Sequence, residues 1–301
     1  MTDLNQYKKL SDIEHVKLRP GMYLGSTSNT TTYCFIPVDD KMVEKEITYS
    51  PALVKMFDEI ISNSVDEHIR SGNVTKIHVT VDELLGSITI EDNGGIPVKK
   101  HPEFDQFIPT MIFGELRTGS NFDDSDRTGA GMNGLGSKLT SIFSSEFIVE
   151  TCDGSKQFKQ TFYDGLTRRN DPVITKSKSQ KGTKITFYPD YSALNCELTE
   201  DNVLKIKKRV YDVAGCNPKI KVYYNEELMG LRFKVGAFSF FQTNVEAVER
   251  MFIDALALIP SLEGKLVWDL YSGTGTLAQT VSPKAQEAIG VELSEESVAM
   301  A

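Results

Sequence analysis

The stretch Asp58-Glu59-Ile60-Ile61-Ser62-Asn63-Ser64-Val65-Asp66 decides the reading of this chain when taken with two later boxes. These are Glu91-Asp92-Asn93-Gly94-Gly95-Ile96-Pro97 and Gly129-Ala130-Gly131-Met132-Asn133-Gly134-Leu135-Gly136-Ser137-Lys138. The first box belongs to a helix. Ser50-Pro51 offers a serine N-cap and a proline at the first helical position. Leu53, Val54, Phe57, Ile60, Ile61 and Val65 then recur at helical spacing as a buried stripe. Glu59, Asn63 and Asp66 stand at i, i+4 and i+7 and share another face. The second box closes a strand: Val74 to Val81 alternates, Gly86 interrupts, and Ser87 to Ile90 resumes, which predicts an antiparallel hairpin. The third box opens a helix near Gly136 that runs through Leu139, Ile142 and Phe143.

These residue types suit a nucleotide. Cleaving a phosphoanhydride needs a base that orients water and a metal that neutralises charge. Glu59 is the candidate base, and Asn63, one turn on, is a neutral oxygen ligand for magnesium. Asp92 ends a strand before two glycines. A carboxylate there accepts a hydrogen bond from an exocyclic amine such as adenine's, while the glycines allow close backbone approach. Gly131 to Lys138 sets backbone N–H groups and a helix start where phosphates bind, with Lys138 adding charge. Alone, each box has a plainer reading: a solvated helix face, an Asn-Gly turn, a glycine loop without function. In this order, on helix, strand and loop-to-helix, they point to a pocket for ATP and Mg2+.

Outward from the boxes, Phe147 to Thr151, Gln157 to Tyr163, Thr183 to Tyr188 and Ile220 to Tyr224 are expected strands. Thr199 to Ala214 is an expected helix with Thr199 as N-cap and Gly215 as its stop. Residues 98–128 show little periodicity and carry the acidic cluster Asp123, Asp124 and Asp126, which predicts a long loop. The sum is a mixed sheet with helices on one face, a two-layer α/β sandwich. A length of 301 residues allows two domains. A net charge of -9 argues against the whole chain being a nucleic-acid clamp. Cys34, Cys152, Cys196 and Cys216 form no CxxC pair and read as free thiols of a reducing compartment. His15, His68, His78 and His101 lack metal-ligand spacing. The polar N-terminus shows no signal peptide, and no apolar run reaches the ~18 residues of a membrane span. The expectation is a cytoplasmic chain, nuclear in a eukaryote, with no membrane partner.

With these residues in place, the chain resembles the N-terminal ATPase domain of type IIA DNA topoisomerases, in the GHKL class. The likeness is nearer to eukaryotic and T4-like phage enzymes than to bacterial gyrase. It extends through Tyr7-Lys8-Lys9-Leu10-Ser11-Asp12-Ile13-Glu14-His15-Val16-Lys17-Leu18-Arg19-Pro20-Gly21-Met22-Tyr23-Leu24-Gly25-Ser26, Ile112-Phe113-Gly114-Glu115-Leu116-Arg117-Thr118-Gly119-Ser120-Asn121-Phe122 and Arg209-Val210-Tyr211-Asp212-Val213-Ala214-Gly215, over residues 5–228. The resemblance implies that Glu59 is the catalytic base and Asn63 the magnesium ligand. Asp92 reads adenine, supported by Thr183. Ser120 and Asn121 touch ribose or phosphate. Gly131, Met132, Asn133, Gly134, Leu135, Gly136, Ser137 and Lys138 wrap the triphosphate. It also implies a homodimer when ATP is bound, with Tyr7 reaching the partner's nucleotide, and contact with DNA through other family regions. The family's second box has one more residue between its last glycines. Here Gly94 and Gly95 adjoin, so Glu91 and Asp92 both stand as candidates, with Asp92 preferred by spacing. The family continues into a transducer whose lysine meets the γ-phosphate, a cleavage module and a DNA-attacking tyrosine. Residues 229–301 match none of these, so ATP–Mg binding with little turnover is expected.

Residues 229–301 carry a second signature. Leu266-Val267-Trp268-Asp269-Leu270-Tyr271-Ser272-Gly273-Thr274-Gly275-Thr276 is a strand running into a glycine turn and a helix, and Glu292 ends the next strand. With Ser239-Phe240-Phe241-Gln242-Thr243-Asn244 upstream, this stretch resembles the RNA uracil-5-methyltransferase family. That likeness implies an S-adenosylmethionine site at Gln242, Tyr271, Gly273 and Glu292 and an RNA substrate. Ser272 replaces the cysteine often found in that turn, and the family's nucleophilic cysteine is not matched. The expected organisation is a GHKL ATP-binding domain over 1–228 and a partial doubly wound, Rossmann-like methyltransferase fragment over 229–301, joined without a linker as an apparent chimera. Two alternatives follow for function: a methyltransferase fragment, or a non-catalytic chimera.

Overall fold

A computed structural model describes residues 9–38, 41–116, 118, 135–225, 227–228, 251, 254–273, 275–282, 284–292 and 298. The chain divides into two compact units. The first comprises Met1–Thr31, Thr48–Val210 and Lys219–Met229; the second comprises Thr32–Ile47, Tyr211–Pro218 and Gly230–Ala301.

The first unit begins with α1 (Asp12–Leu18), set by a capping box. Ser11 Oγ accepts from the Glu14 N–H, and the Glu14 carboxylate accepts from the Ser11 N–H. Strands β1 (Thr30–Val38) and β2 (Lys41–Tyr49) follow as a separate two-stranded sheet, which falls almost wholly in the second unit and which the sequence pattern did not predict. Helix α2 (Pro51–Ser71) starts where expected. Ser50 Oγ accepts from the Leu53 N–H, and the helix ends on Gly72 in the left-handed region at φ 71°. Its buried face is broader than the predicted stripe: Ala52, Met56 and Ser64 join it, while Val65 is only half-buried.

Strands β3 (Lys76–Asp82), β4 (Ser87–Asp92), β5 (Ser144–Cys152), β6 (Lys156–Tyr163), β7 (Arg168–Arg169), β8 (Val173–Lys176), β9 (Gly182–Pro189), β10 (Lys221–Tyr224) and β11 (Glu227–Leu228) form one sheet. Its order is β11-β10-β3-β4-β9-β5-β6-β7, with β8 also on β6. The β10–β3 pair is parallel and the others are antiparallel, so the sheet is mixed. Alternation sets its faces. Ile77, Val79, Val81, Ile185 and Phe187 point into the core, and Lys76, His78, Thr80 and Lys184 point out. A slip of one residue in register would exchange the two sets. Phe147 lies at the centre, 6.0 to 6.5 Å from the Phe113, Phe162 and Phe187 rings. Truncating Phe147 to Ala is expected to cost about 3–5 kcal/mol.

Helix α3 (Ile108–Gly114) lies inside the segment expected to be an unbroken loop. It is one short helix, led by Pro109 and pinned by Thr110 Oγ1 donating to Gln160 Oε1 at 2.8 Å. Helix α4 (Gly136–Ile142) packs on α2 and on β5 and β9, and its residues from Ser137 to Ile142 are all buried. Helix α5 (Glu200–Cys216) begins at Thr199, whose Oγ1 accepts from the Asn202 N–H. It passes the expected stop at Gly215 by one residue, within the ordinary scatter of helix ends.

In the second unit β12 (Leu266–Leu270), α6 (Thr276–Val281) and β13 (Glu287–Val291) follow in order. The two strands pair in parallel, from Leu266 opposite Glu287 to Leu270 opposite Val291. Strand β12 leaves Leu266, Trp268 and Leu270 exposed. Lys284 also pairs with Glu44 of β2. No helix among the described residues is long and apolar enough to cross a membrane.

Candidate active site

The site is built where α2 crosses the ends of β4 and β9 and the start of α4. Glu59 is half-buried on α2 and paired with Lys55 one turn earlier. Asn63 is exposed and Asp66 half-buried on the following turns. Gly136 lies directly against Glu59: a Cβ there would sit 1.9 Å from Glu59 Oε2. The first and third boxes therefore touch, and a side chain at 136 would displace the Glu59 carboxylate. Leu135 is the N-cap residue of α4, and Ser137 is buried beside it. Lys138 is also buried, and its Nζ donates to the Thr118 carbonyl at 2.6 Å. Burial lowers the Lys138 ammonium to about 8.

The second box separates its two acidic residues by pleat. Glu91 is exposed, opposite His78 on β3 and Lys184 on β9. Asp92 lies opposite Ile77 and Thr183 and turns to the helix side. There Ser64 of α2 donates from Oγ to Asp92 Oδ2 at 2.6 Å, and the Gly94 N–H donates to Oδ1 at 2.8 Å. Burial raises the Asp92 carboxyl above its ordinary range. The two hydrogen bonds oppose that shift, and the charges of Glu67 and Glu91 add to it. An ionised carboxylate has about four acceptor positions, so these two donors leave Asp92 capacity for a ligand.

The turn after Asp92 is tight. Gly95 has φ 104°, and a Cβ on it would lie 2.4 Å from the Cys152 carbonyl oxygen. A Cβ on Gly94 would meet Asp92 Oδ1 at 2.9 Å, and one on Gly182 would meet the Asp92 carbonyl oxygen at 2.9 Å. Thr183, buried on β9, shares a hydrogen bond with the Thr151 hydroxyl at 3.0 Å, and Thr151 Oγ1 also accepts from the Ile96 N–H. Thr151, Lys55 and Ser64 are site neighbours that the sequence reading missed. Ser64 carried a signal: it is a hydroxyl one turn beyond Ile60 and Ile61, on the buried side of α2.

Tyr7, Ser120, Asn121, Gly131, Met132, Asn133, Gly134 and Gln242 lie outside the described residues. Among the described residues, no group of three or more His, Cys, Asp or Glu is arranged to hold a metal. A cavity of about 560 Å³ opens on the helix-free sheet face, lined by Lys76, His78, Glu91, Glu150 and Lys184 among others. It meets the site at the strand ends, through Asp92 and Thr183.

In the second unit, Tyr271 is exposed with φ 66°, and Gly273 follows at φ 57°. The Gly273 N–H donates to Glu292 Oε2 at 2.8 Å, and the Ala278 N–H donates to Asp269 Oδ2 at 2.9 Å. Tyr271, Gly273 and Glu292 are therefore gathered at one turn.

The family model for histidine kinase-, DNA gyrase B-, and HSP90-like ATPases matches residues 48–193. DNA topoisomerase 2 of Arabidopsis thaliana is 42% identical over 240 residues, which cover 77% of this chain and 16% of that protein. The probable DNA topoisomerase 2 of Dictyostelium discoideum is 41% identical over 232 residues, covering 75% of this chain and 15% of its own length. The chain thus spans only a small part of these curated relatives. The crystal structure of the ATPase region of Saccharomyces cerevisiae topoisomerase II bound to ICRF-187 superposes with a TM-score of 0.75 at 30% identity, covering 89% of this chain and 75% of that one. The ATPase and transducer domains of DNA topoisomerase II from Balamuthia mandrillaris give 0.74 at 36% identity, covering 90% and 72%. A mixed sheet under α2 and α4, three boxes converging on its strand ends and these likenesses lead to one family: the chain belongs to the type II DNA topoisomerases and corresponds to their ATPase region.

Proposed function

We propose that the first unit binds ATP with Mg2+ between α2, the β4 turn, β9 and the loop leading into α4, and hydrolyses it slowly. The carrying observation is Asp92: a desolvated carboxylate, fixed by Ser64 and Gly94, facing Thr183 with acceptor capacity to spare. That arrangement suits the 6-amino group of adenine. Gly94, Gly95 and Gly182 keep the backbone close around it, where any Cβ would collide. Glu59 is the base that orients water at the γ-phosphate, and Asn63 is the amide ligand offered to the metal. Magnesium bound with ATP supplies charge neutralisation at the phosphates. Gly131 to Lys138, with Ser120 and Asn121, is assigned to ribose and phosphates. Slow turnover fits two internal engagements: Glu59 is held by Lys55, and Lys138 by the Thr118 carbonyl. Two copies pair when ATP is bound, with Tyr7 reaching the partner's site. Duplex passage of DNA is assigned to longer chains of this family.

The test is Glu59→Ala against Asp92→Asn. Loss of turnover with ATP binding kept is expected for the first, and loss of binding for the second. Turnover that survives Glu59→Ala removes the assignment.

A second reading concerns residues 229–301. The Gly273-to-Glu292 hydrogen bond closes a parallel β–α–β turn of the kind that can hold a nucleotide cofactor, while the comparisons favour the ATPase reading over an S-adenosylmethionine site, an RNA substrate or a chimera. Titration calorimetry with S-adenosylmethionine decides it: no heat at high protein concentration leaves a non-catalytic tail.

A further inference from the structure

We propose that Ser64 is a positioning residue for base recognition: its hydroxyl holds the Asp92 carboxylate turned so that the open acceptor positions face a purine 6-amino group. The inference deepens the ATP reading above and rests on it.

Ser64 lies on the buried face of α2, among Ala52, Leu53, Val54, Met56, Phe57, Ile60 and Ile61. Helical serines commonly bond back to a carbonyl of their own helix. Ser64 Oγ crosses instead to β4 and donates to Asp92 Oδ2 at 2.6 Å. The Gly94 N–H holds the other oxygen at 2.8 Å. One donor on each oxygen fixes the carboxylate plane, and the positions left over only accept. A 6-amino purine satisfies them, whereas a 6-oxo purine sets oxygen against oxygen. A bond from Gly94 alone leaves the carboxylate free to swing about one contact. The charge state points the same way. Burial raises the Asp92 carboxyl, Glu67 on α2 and Glu91 on β4 raise it further, and Ser64 and Gly94 oppose them. A protonated Asp92 would turn a donor toward the amine.

The experiment titrates the magnesium complexes of ATP and ITP into the full chain by calorimetry. The proteins are wild type, Ser64→Ala, Ser64→Thr and Asp92→Asn, each checked for an unchanged unfolding midpoint or corrected for it. Wild type is expected to prefer ATP. Ser64→Ala is expected to lose on the order of tenfold in ATP affinity while ITP affinity holds, so the preference collapses. Ser64→Thr, which keeps the hydroxyl, is expected to restore it. A Ser64→Ala variant that keeps the wild-type ratio, or weakens both nucleotides equally, overturns the role of Ser64 and leaves the ATP reading standing. A wild type that does not distinguish the two nucleotides, or an Asp92→Asn variant with full ATP affinity, overturns the reading of Asp92 itself and Ser64 with it.

Discussion

Both units place a carboxylate at the end of a strand and hang a glycine N–H on it, Gly94 on Asp92 and Gly273 on Glu292, each at 2.8 Å. The surroundings differ. Asp92 ends a central strand of a nine-stranded sheet, beneath α2, with a second donor from Ser64. Glu292 follows a sheet that has two strands among the described residues, with Leu266, Trp268 and Leu270 exposed at 50%, 56% and 64% on β12. Two strands alone confer little independent stability. A local device that can be read from sequence therefore acquires its strength from the layers around it. The same hydrogen bond counts for more where water is excluded.

The largest expected contrast is catalytic. Glu59→Ala should lower ATP turnover by about 10²–10⁴-fold, measured by phosphate release. Glu292→Gln should leave turnover unchanged, and a parallel loss would break the separation of the two sites. The next contrast is between two glycines at positive φ. Gly95→Ala meets a backbone carbonyl at 2.4 Å, which no side-chain rotation relieves. It should cost about 3 kcal/mol in urea unfolding. At Gly273 nothing lies within 4 Å of the new Cβ, so only the φ of 57° is strained. Its substitution should cost about 1 kcal/mol. Equal costs would show that crowding around Gly95 does not matter.

Asp92→Asn should trade stability against binding. Burial gives the folded state the tighter hold on the Asp92 proton. Its charged form therefore destabilises the fold fully above the raised titration point, and not below the ordinary Asp range near 4. Asparagine removes that cost, so thermal scans at neutral pH should show a higher midpoint while ATP affinity falls. The gain should vanish as pH drops through that window. The smallest effect belongs to Lys138, lowered to about 8 from 10.5. The unfolded chain holds this proton between those values when the folded one does not, so stability rises with pH across that span. Lys138→Met should flatten the rise, seen as converging melting midpoints between pH 8 and 10.

Much of the site's framework was legible because it is local. Ser50, Pro51 and the apolar stripe announced α2, and the glycine spacing announced the start of α4. Spacing to Gly94 already favoured Asp92 over Glu91, and the pleat adds that the two face opposite ways, Glu91 opposite His78 and Asp92 opposite Ile77. Ser64 was passed over because a serine in a helix carries no mark of the strand it will meet. Helix α3 was hidden by its brevity, with seven residues and no side-chain cap. The β1–β2 sheet was hidden by its composition: Pro37 lies inside one strand, and Lys41, Glu44, Lys45 and Glu46 crowd the other. No alternation survives such a pattern, and the pairing is fixed by tertiary context.

Trp268 is the single tryptophan of the chain and sits on exposed β12. The first unit is therefore silent at the wavelengths where indole emits, while its sheet and helices dominate the backbone ellipticity. Tryptophan emission thus reports the second unit alone, and ellipticity mainly the first, without any label. Unfolding followed by tryptophan emission and by far-ultraviolet ellipticity will coincide only if the two units melt as one, and separated curves would give each unit its own stability.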